Sequence, residues 1–232
     1  MIAWLALIGC GVQDDWEEPE VPPVVAGAPQ VGAAEGFLKL PVGTPLSGFT
    51  ARCECFFGVG RQDARESAYV DGFIPSTGVH THPAIKVIWI DNGDDQLVIT
   101  KTDSIYSSDQ VVEALEEQLT ASTGIDMRGK VVHTANHSHN SYGDFTDALT
   151  FYLGSDQFNR EIFERFVGQV HDVAKLAYDR RQPGKIGLSI NRDWDPDNQV
   201  YSDRRGVNND AVIGNPPLPT GKDPHATILR LD

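Results

Sequence analysis

An α/β fold is predicted from this sequence, with a mixed sheet, parallel crossover units and flanking helices, and three observations carry the prediction. Two apolar runs, Ala84 to Asp91 (AIKVIWID) and Gln96 to Asp103 (QLVITKTD), flank Asn92-Gly93, the strongest short-range hairpin signal. A helix-spaced stretch follows, Val111, Val112, Leu115 and Leu119, and then the strand-like run Lys130 to Ala135 (KVVHTA). Strand, helix and strand at that spacing make a crossover unit whose two strands run parallel. A second apolar stripe, from Phe158 through Ile162, Phe166, Val170 and Val173 to Ala177, marks a longer helix.

In chain order, Met1 to Gly9 is a short apolar run, and Leu7-Ile8-Gly9-Cys10 reads as a bacterial lipobox. Lipidation of Cys10 would give membrane contact and place the protein outside the cytoplasm, periplasmic or anchored in the outer membrane. No Lys or Arg precedes the apolar core, and the run is too short to span a bilayer. Residues 11–30 are acidic and Pro-rich, with Asp14, Asp15, Glu17, Glu18, Glu20, Pro22 and Pro23, and read as a tether. The folded portion is expected over residues 31–232, opening near Val31.

Ser107-Ser108-Asp109-Gln110 reads as a capping box with Ser107 at the cap, and Gly124 is placed to end that helix. Ser155 is a candidate cap for the longer helix, and Pro183-Gly184 lies beyond its end. Lys185 to Asn191 (KIGLSIN) reads as a strand expected beside Lys130 to Ala135. Residues 193–224 are loop-like, and His225 to Leu231 (HATILRL) alternates as a last strand.

Composition narrows the function classes. With 40% hydrophobic and 22% charged residues the 232-residue chain is that of a folded globular protein. A formal net charge of −14, with no Lys/Arg stripe to offset it, repels phosphate backbones and argues against nucleic acid as a partner. The cysteines are Cys10, Cys53 and Cys55; an odd count argues against a disulfide framework, and Cys53 and Cys55 read as buried or half-buried thiols.

The residues that carry chemistry follow the crossover strand: Val131-Val132-His133-Thr134-Ala135-Asn136-His137-Ser138-His139. His137 falls just past the C-terminal end of a parallel strand, where open α/β sheets place ligands. Neutral imidazole ligates zinc, and a second imidazole two residues on can move protons near neutral pH. By residue type alone the pair reads equally well as ordinary structural histidines.

The wider sequence resembles the neutral ceramidase family from about Gly78 to Asp232. The match runs through Gly78-Val79-His80, the strand ending in Asp103, Thr123-Gly124, Ala135-Asn136-His137-Ser138-His139, the long helix before Gln182-Pro183-Gly184, Asn191-Arg192, and Asp223 before the last strand. The resemblance implies that this is the N-terminal portion of a larger catalytic domain that hydrolyses an N-acyl amide bond with zinc. It implies His137 as a zinc ligand, His139 beside the metal-bound water, and Arg192 near the polar end of a lipid-like amide substrate. After His139 the chain reads Asn140-Ser141-Tyr142-Gly143-Asp144 instead of Ser-Gly-Pro-Gly-Gly, and after Arg192 it reads Asp193-Trp194 instead of Ser-Pro. The family's other zinc ligands, a histidine, a glutamate and a tyrosine, come well after a strand like His225 to Leu231. The expectation is therefore an incomplete metal site, inactive in this chain and completed by a C-terminal remainder.

Two further readings stand beside this one: a non-catalytic exported lipoprotein that keeps the scaffold for binding, and a hydrolase of a non-lipid amide or ester using the same imidazoles. Three other clusters read as structural. His80-Thr81-His82, followed by Pro83, reads as a loop; His133 as core packing; Asp193-x-Asp195-x-Asp197 as an acidic turn, because an EF-hand needs Gly at Asn198 and Glu at Arg204.

Overall fold

The computed structural model describes residues 28–48, 65–191, 194–195, 199–200, 212–213, 218–219 and 226–232. Cys10 and its lipobox, most of the acidic stretch, Cys53 and Cys55 lie outside the described residues.

Five strands form the main sheet: β1 (Gln30–Phe37), β2 (Ala84–Asp91), β3 (Gln96–Thr102), β4 (Val131–Ala135) and β5 (Gln182–Pro183), in the order β4-β3-β2-β1-β5. β3 and β4 pair in parallel through the predicted crossover, while the β1–β2, β2–β3 and β1–β5 pairs are antiparallel. The sheet is therefore mixed, as expected. The hairpin closes at Asp91 and Gln96, so its loop has four residues. Asn92 Oδ1 accepts from the N–H groups of Asp94 and Asp95, and Gly93 takes φ 93°, which a side chain would resist.

The crossover helix α1 spans Asp109–Thr123. Its cap is Ser108, one residue later than the sequence suggests: the Ser108 hydroxyl accepts from Val111 N–H. Gln110, expected to close the box, accepts instead from Asp147 N–H at 3.2 Å. Gly124 ends the helix at φ 75°, as predicted.

A short helix, α2 (Leu149–Ser155), precedes the long α3 (Arg160–Asp179). Ser155 therefore ends α2 and is buried. Asn159 caps α3, its side chain accepting from Glu161 and Ile162 N–H.

α1 and α3 pack on each other and on one face of the sheet. They cover Ile85, Val87 and Trp89 of β2 and Val98 of β3 with Leu115, Leu119, Ile162, Phe166 and Val170, all essentially inaccessible. Burial of each large apolar side chain is worth about 1.5–3 kcal/mol, so this layer dominates stability. Close approach depends on two glycines of β1. A Cβ at Gly32 would collide with the Ala177 carbonyl oxygen, and one at Gly36 with a Val173 methyl group. The far end of α3 is tied to the hairpin: Arg181 donates to Asp91 at 2.6 Å and lies 3.7 Å from the centre of the Tyr178 ring. The opposite face of the sheet is less covered, with Leu97 and Val132 38% and 45% exposed.

The strand β6 (Ile186–Asn191) pairs antiparallel with β9 (Ala226–Leu231) as a separate ribbon. The expected neighbourhood of Lys185–Asn191 and Lys130–Ala135 is thus corrected. On leaving α3 the chain first adds β5 to the β1 edge, with Gly184 N–H donating to Pro29 O at 2.9 Å. That edge is at the opposite end of the sheet from β4, so β6 starts far from it. Val212–Ile213 (β7) and Leu218–Pro219 (β8) form a further two-residue pair. Among the described residues, no helix is long and apolar enough to cross a membrane.

Candidate functional site

The carboxyl end of β4 leads directly into the histidine turn. Asp103, just past β3, organises the approach: it accepts from Ala84 N–H, from Asn136 Nδ2 at 2.8 Å and from Lys101. Burial raises the Asp103 pKa, but Lys101, the Ala84 N–H and the charge of Lys86 outweigh burial and hold the carboxylate below its usual range. Ser138 N–H donates to Ser104 O at 3.1 Å and fastens the turn to the segment after β3.

His137 itself adopts φ 61°, the left-handed region that costs a non-glycine residue about 1 kcal/mol. Its exposed ring donates through Nδ1 to the Ile105 carbonyl at 2.9 Å. The His139 ring, half-buried, donates through Nδ1 to the Gly48 carbonyl at 3.1 Å. A carbonyl only accepts, so both rings carry their proton on Nδ1. Both Nε2 atoms then face each other, 3.1 Å apart, with ring planes at 80°. One shared proton or one cation can bridge two nitrogens so placed.

Gly48 makes this arrangement possible. It has φ 82°, and a Cβ there would run into His139 Nδ1 and the Ile105 side chain. Its N–H donates to Gly154 O at 2.6 Å, so the end of α2 supports the histidine turn. Sequence reasoning missed Gly48, Ile105 and Gly154; all three act through backbone carbonyls, which leave no residue-type signal.

The predicted residues divide as follows. His137 and His139 come together. Arg192 lies outside the described residues. His80 and His82 are exposed on a loop, as expected. His133 is 6% exposed in the core, with its Nδ1 2.8 Å from Thr100 Oγ1 and its edge toward Phe166; burial pushes its pKa down to about 4. Asp195 accepts from Gln199 and Val200 N–H in a turn, while Asp193 and Asp197 lie outside the described residues.

Beside the turn runs a groove of about 740 Å³, lined by Ile74, Pro75, Ser76, His80, Asn140 and Tyr142 among others. It mixes apolar and polar walls, and Asn140 directly follows His139.

Catalytic zinc sites use about three protein ligands. His137 and His139 offer two nitrogens, and among the described residues no group of three His, Cys, Asp or Glu side chains is placed to hold a metal ion. The imidazole pair alone does not make a catalytic zinc site.

No protein-family model matches the chain, and no curated sequence does. The fold is similar to that of the neutral ceramidase from Pseudomonas aeruginosa, with TM-score 0.65 and 17% identity over 88% of this chain and 29% of that one. It is also similar to a ceramidase complexed with C2, with TM-score 0.59 and 16% identity over the same shares. The chain thus spans less than a third of the length of these two ceramidases, and at such identities the likeness is one of fold.

Proposed function

We propose that this chain carries part of the active site of a ceramidase-like, zinc-dependent hydrolase that cleaves an N-acyl amide bond. The observation that carries the reading is the convergence of His137 and His139 through Nε2 at the carboxyl end of a parallel strand. The ceramidase-like fold and the sequence resemblance around Ala135 to His139 support it. When bound, zinc in such a site supplies a Lewis acid and a water activated near neutral pH. His137 is the proposed ligand, held in its Nδ1–H tautomer by Ile105. His139, oriented by Gly48, is the proposed proton carrier. Arg192 is proposed to hold the polar end of the substrate with its fork of donors. The remaining metal donors come from outside the described residues, on a C-terminal remainder of the catalytic domain or another polypeptide. Export and anchoring through a lipidated Cys10 complete the proposal and would bring the site to a lipid-like amide at the membrane.

Zinc titration and hydrolysis of a short-chain N-acylsphingosine, both measured on the protein joined to its remaining domain, test the reading. His137→Ala should abolish zinc binding and turnover, while His139→Ala should lower turnover with zinc retained. Unchanged zinc affinity in His137→Ala would overturn the assignment. Absence of both zinc binding and turnover in the wild type would favour the exported binding scaffold.

A further inference from the structure

The helices α1 and α3 cover one face of the main sheet, and the other face is divided into two unlike halves. Side chains alternate across a strand, so Ile88 and Ile90 point away from the buried Val87 and Trp89. The strand registers place Ile88, Ile99 and Val132 in one cross-strand row and Val31, Ile90 and Leu97 in the next. On the other side of the first row lies a charged one, Glu35, Lys86 and Lys101, with Lys86 4.0 Å from Glu35. The half toward the Asp91–Gln96 hairpin is therefore apolar, and the half toward the carboxyl end of β4 is charged.

The ribbon of β6 and β9 starts beside the apolar half. Its base is closed by Lys185 and Asp232, whose N–H groups donate to each other's carbonyls at 2.8 and 3.0 Å. Gly184, next to that base, lies so close to Val31 and to Asp232 that a Cβ would collide with both. Cross-strand partners share a face, so Ile186 with Leu231 and Leu188 with Leu229 stand on one side of the ribbon, along with Ile190. Ile186, Leu188 and Ile190 are 43–64% exposed, and all of β6 is exposed.

A two-stranded ribbon is marginal by itself, and a sheet built with a parallel crossover normally has both faces covered. Contiguous exposed apolar surface of this kind marks a place of contact. Among the described residues β6 and β9 each keep an outer edge with no strand on it, and such an edge takes a further strand. The occupant that satisfies both edges and the apolar face is a sheet, since two sheets pack apolar side to apolar side about 10 Å apart. A second copy of the chain fits less well, because its own formal net charge of −14 repels the first. The two ceramidases of like fold, by contrast, carry more than two-thirds of their length outside the part matched here, as coverage of 29% requires.

We infer that β6 and β9 are the first strands of a second sheet, which packs over the apolar half of the main sheet and takes its other strands from the remaining domain. The inference rests on the part of the proposed function that gives this chain a remaining domain, and on none of its chemistry. The charged row bounds the covered area, so the second sheet stops short of the carboxyl end of β4. Its rim then stands beside the histidine turn, where the missing metal donors are required.

The test compares the full chain alone with the chain joined to its remaining domain, using Leu188→Lys, Val132→Lys and, from the charged row, Glu35→Gln. In the joined protein each lysine should lower the thermal midpoint by roughly 5 °C or more, because a charge is forced between two apolar faces. In the chain alone, where both positions meet solvent, the shift should stay below about 2 °C. Glu35→Gln should move neither form. Amide exchange in β6 should be slowed roughly a hundredfold by the remaining domain. Tolerance of both lysines in the joined protein, with unslowed exchange in β6, overturns the inference, and this arm decides even if the chain alone does not fold. Self-association of the chain alone that Leu188→Lys abolishes, with no effect of that change in the joined protein, also overturns it and assigns the face to a second copy. No arm reads zinc or turnover, so failure of the hydrolase reading leaves every outcome unchanged.

Discussion

His137 and His139 face each other through Nε2 at 3.1 Å because each ring is turned by a backbone carbonyl on its other nitrogen, Ile105 for one and Gly48 for the other. This fixes an observable property. Both rings should be Nδ1–H tautomers when neutral, the less common form for a free histidine in water. Long-range proton–nitrogen NMR on selectively labelled protein reads the tautomer of each ring. An Nε2–H tautomer at both positions would show that the carbonyls do not orient the pair.

Gly48 should tolerate no side chain. Gly48→Ala places a methyl group against His139 Nδ1 and the Ile105 side chain, at a backbone φ of 82° that already disfavours alanine. A stability loss of about 1–3 kcal/mol is expected in chemical denaturation, with loss of the His139 Nδ1 hydrogen bond in the NMR experiment above. Gly78→Ala is the control, since nothing lies within 4 Å of a Cβ there. Equal effects of the two substitutions would remove Gly48 from the site.

Much of the scaffold around these residues was legible because it is written in periodicity. β2, the bulk of β3, α1 and the body of α3 follow from apolar spacing, and the parallel pairing of β3 with β4 follows from the crossover between them. What escaped was set by tertiary contact. β1 (QVGAAEGF) has only Val31 and Phe37 of the branched and aromatic residues that mark strands, and Gly32 and Gly36 are there to admit α3. α2 is a seven-residue helix with no side-chain cap bond. The strand character of β6 was readable, but its partner was not, since β5 diverts the chain to the β1 edge first. In the site, the imidazoles were legible from residue type and position. The carbonyls of Ile105 and Gly48 were not.

Arg181 should be a stability determinant that hydropathy does not reveal. Its guanidinium donates to Asp91 and Gln96 and lies over Tyr178, and the Arg181 and Asp91 side chains are 14% and 18% exposed. Arg181→Ala leaves a mostly buried carboxylate unpaired and should cost about 3 kcal/mol in urea unfolding. The double variant Arg181→Ala with Asp91→Asn should recover part of that loss, because the stranded charge is gone. A double variant as unstable as the sum of the two single changes would mean that the ion pair contributes nothing by coupling.

His133 gives the fold an acid limit whose sign can be worked out. Burial holds its folded-state pKa at about 4, against 6.5 for the ordinary group, and the ring is 6% exposed between β3 and Phe166. Below pH 6.5 the unfolded chain takes up a proton that the folded chain refuses. Stability is therefore fully present above about pH 6.5 and is lost as pH falls toward 4, by about 3 kcal/mol over that window. Carboxylates titrate in the lower part of the same window, so the measurement is a difference: urea unfolding of wild type and His133→Gln at a series of pH values. The wild type should lose ground to the variant steadily between pH 6.5 and 4, whatever their offset at neutral pH. Parallel curves would mean that His133 titrates normally and is reached by water, and the packed layer beneath the histidine turn would then be looser than the contacts of β3, β4 and α3 require.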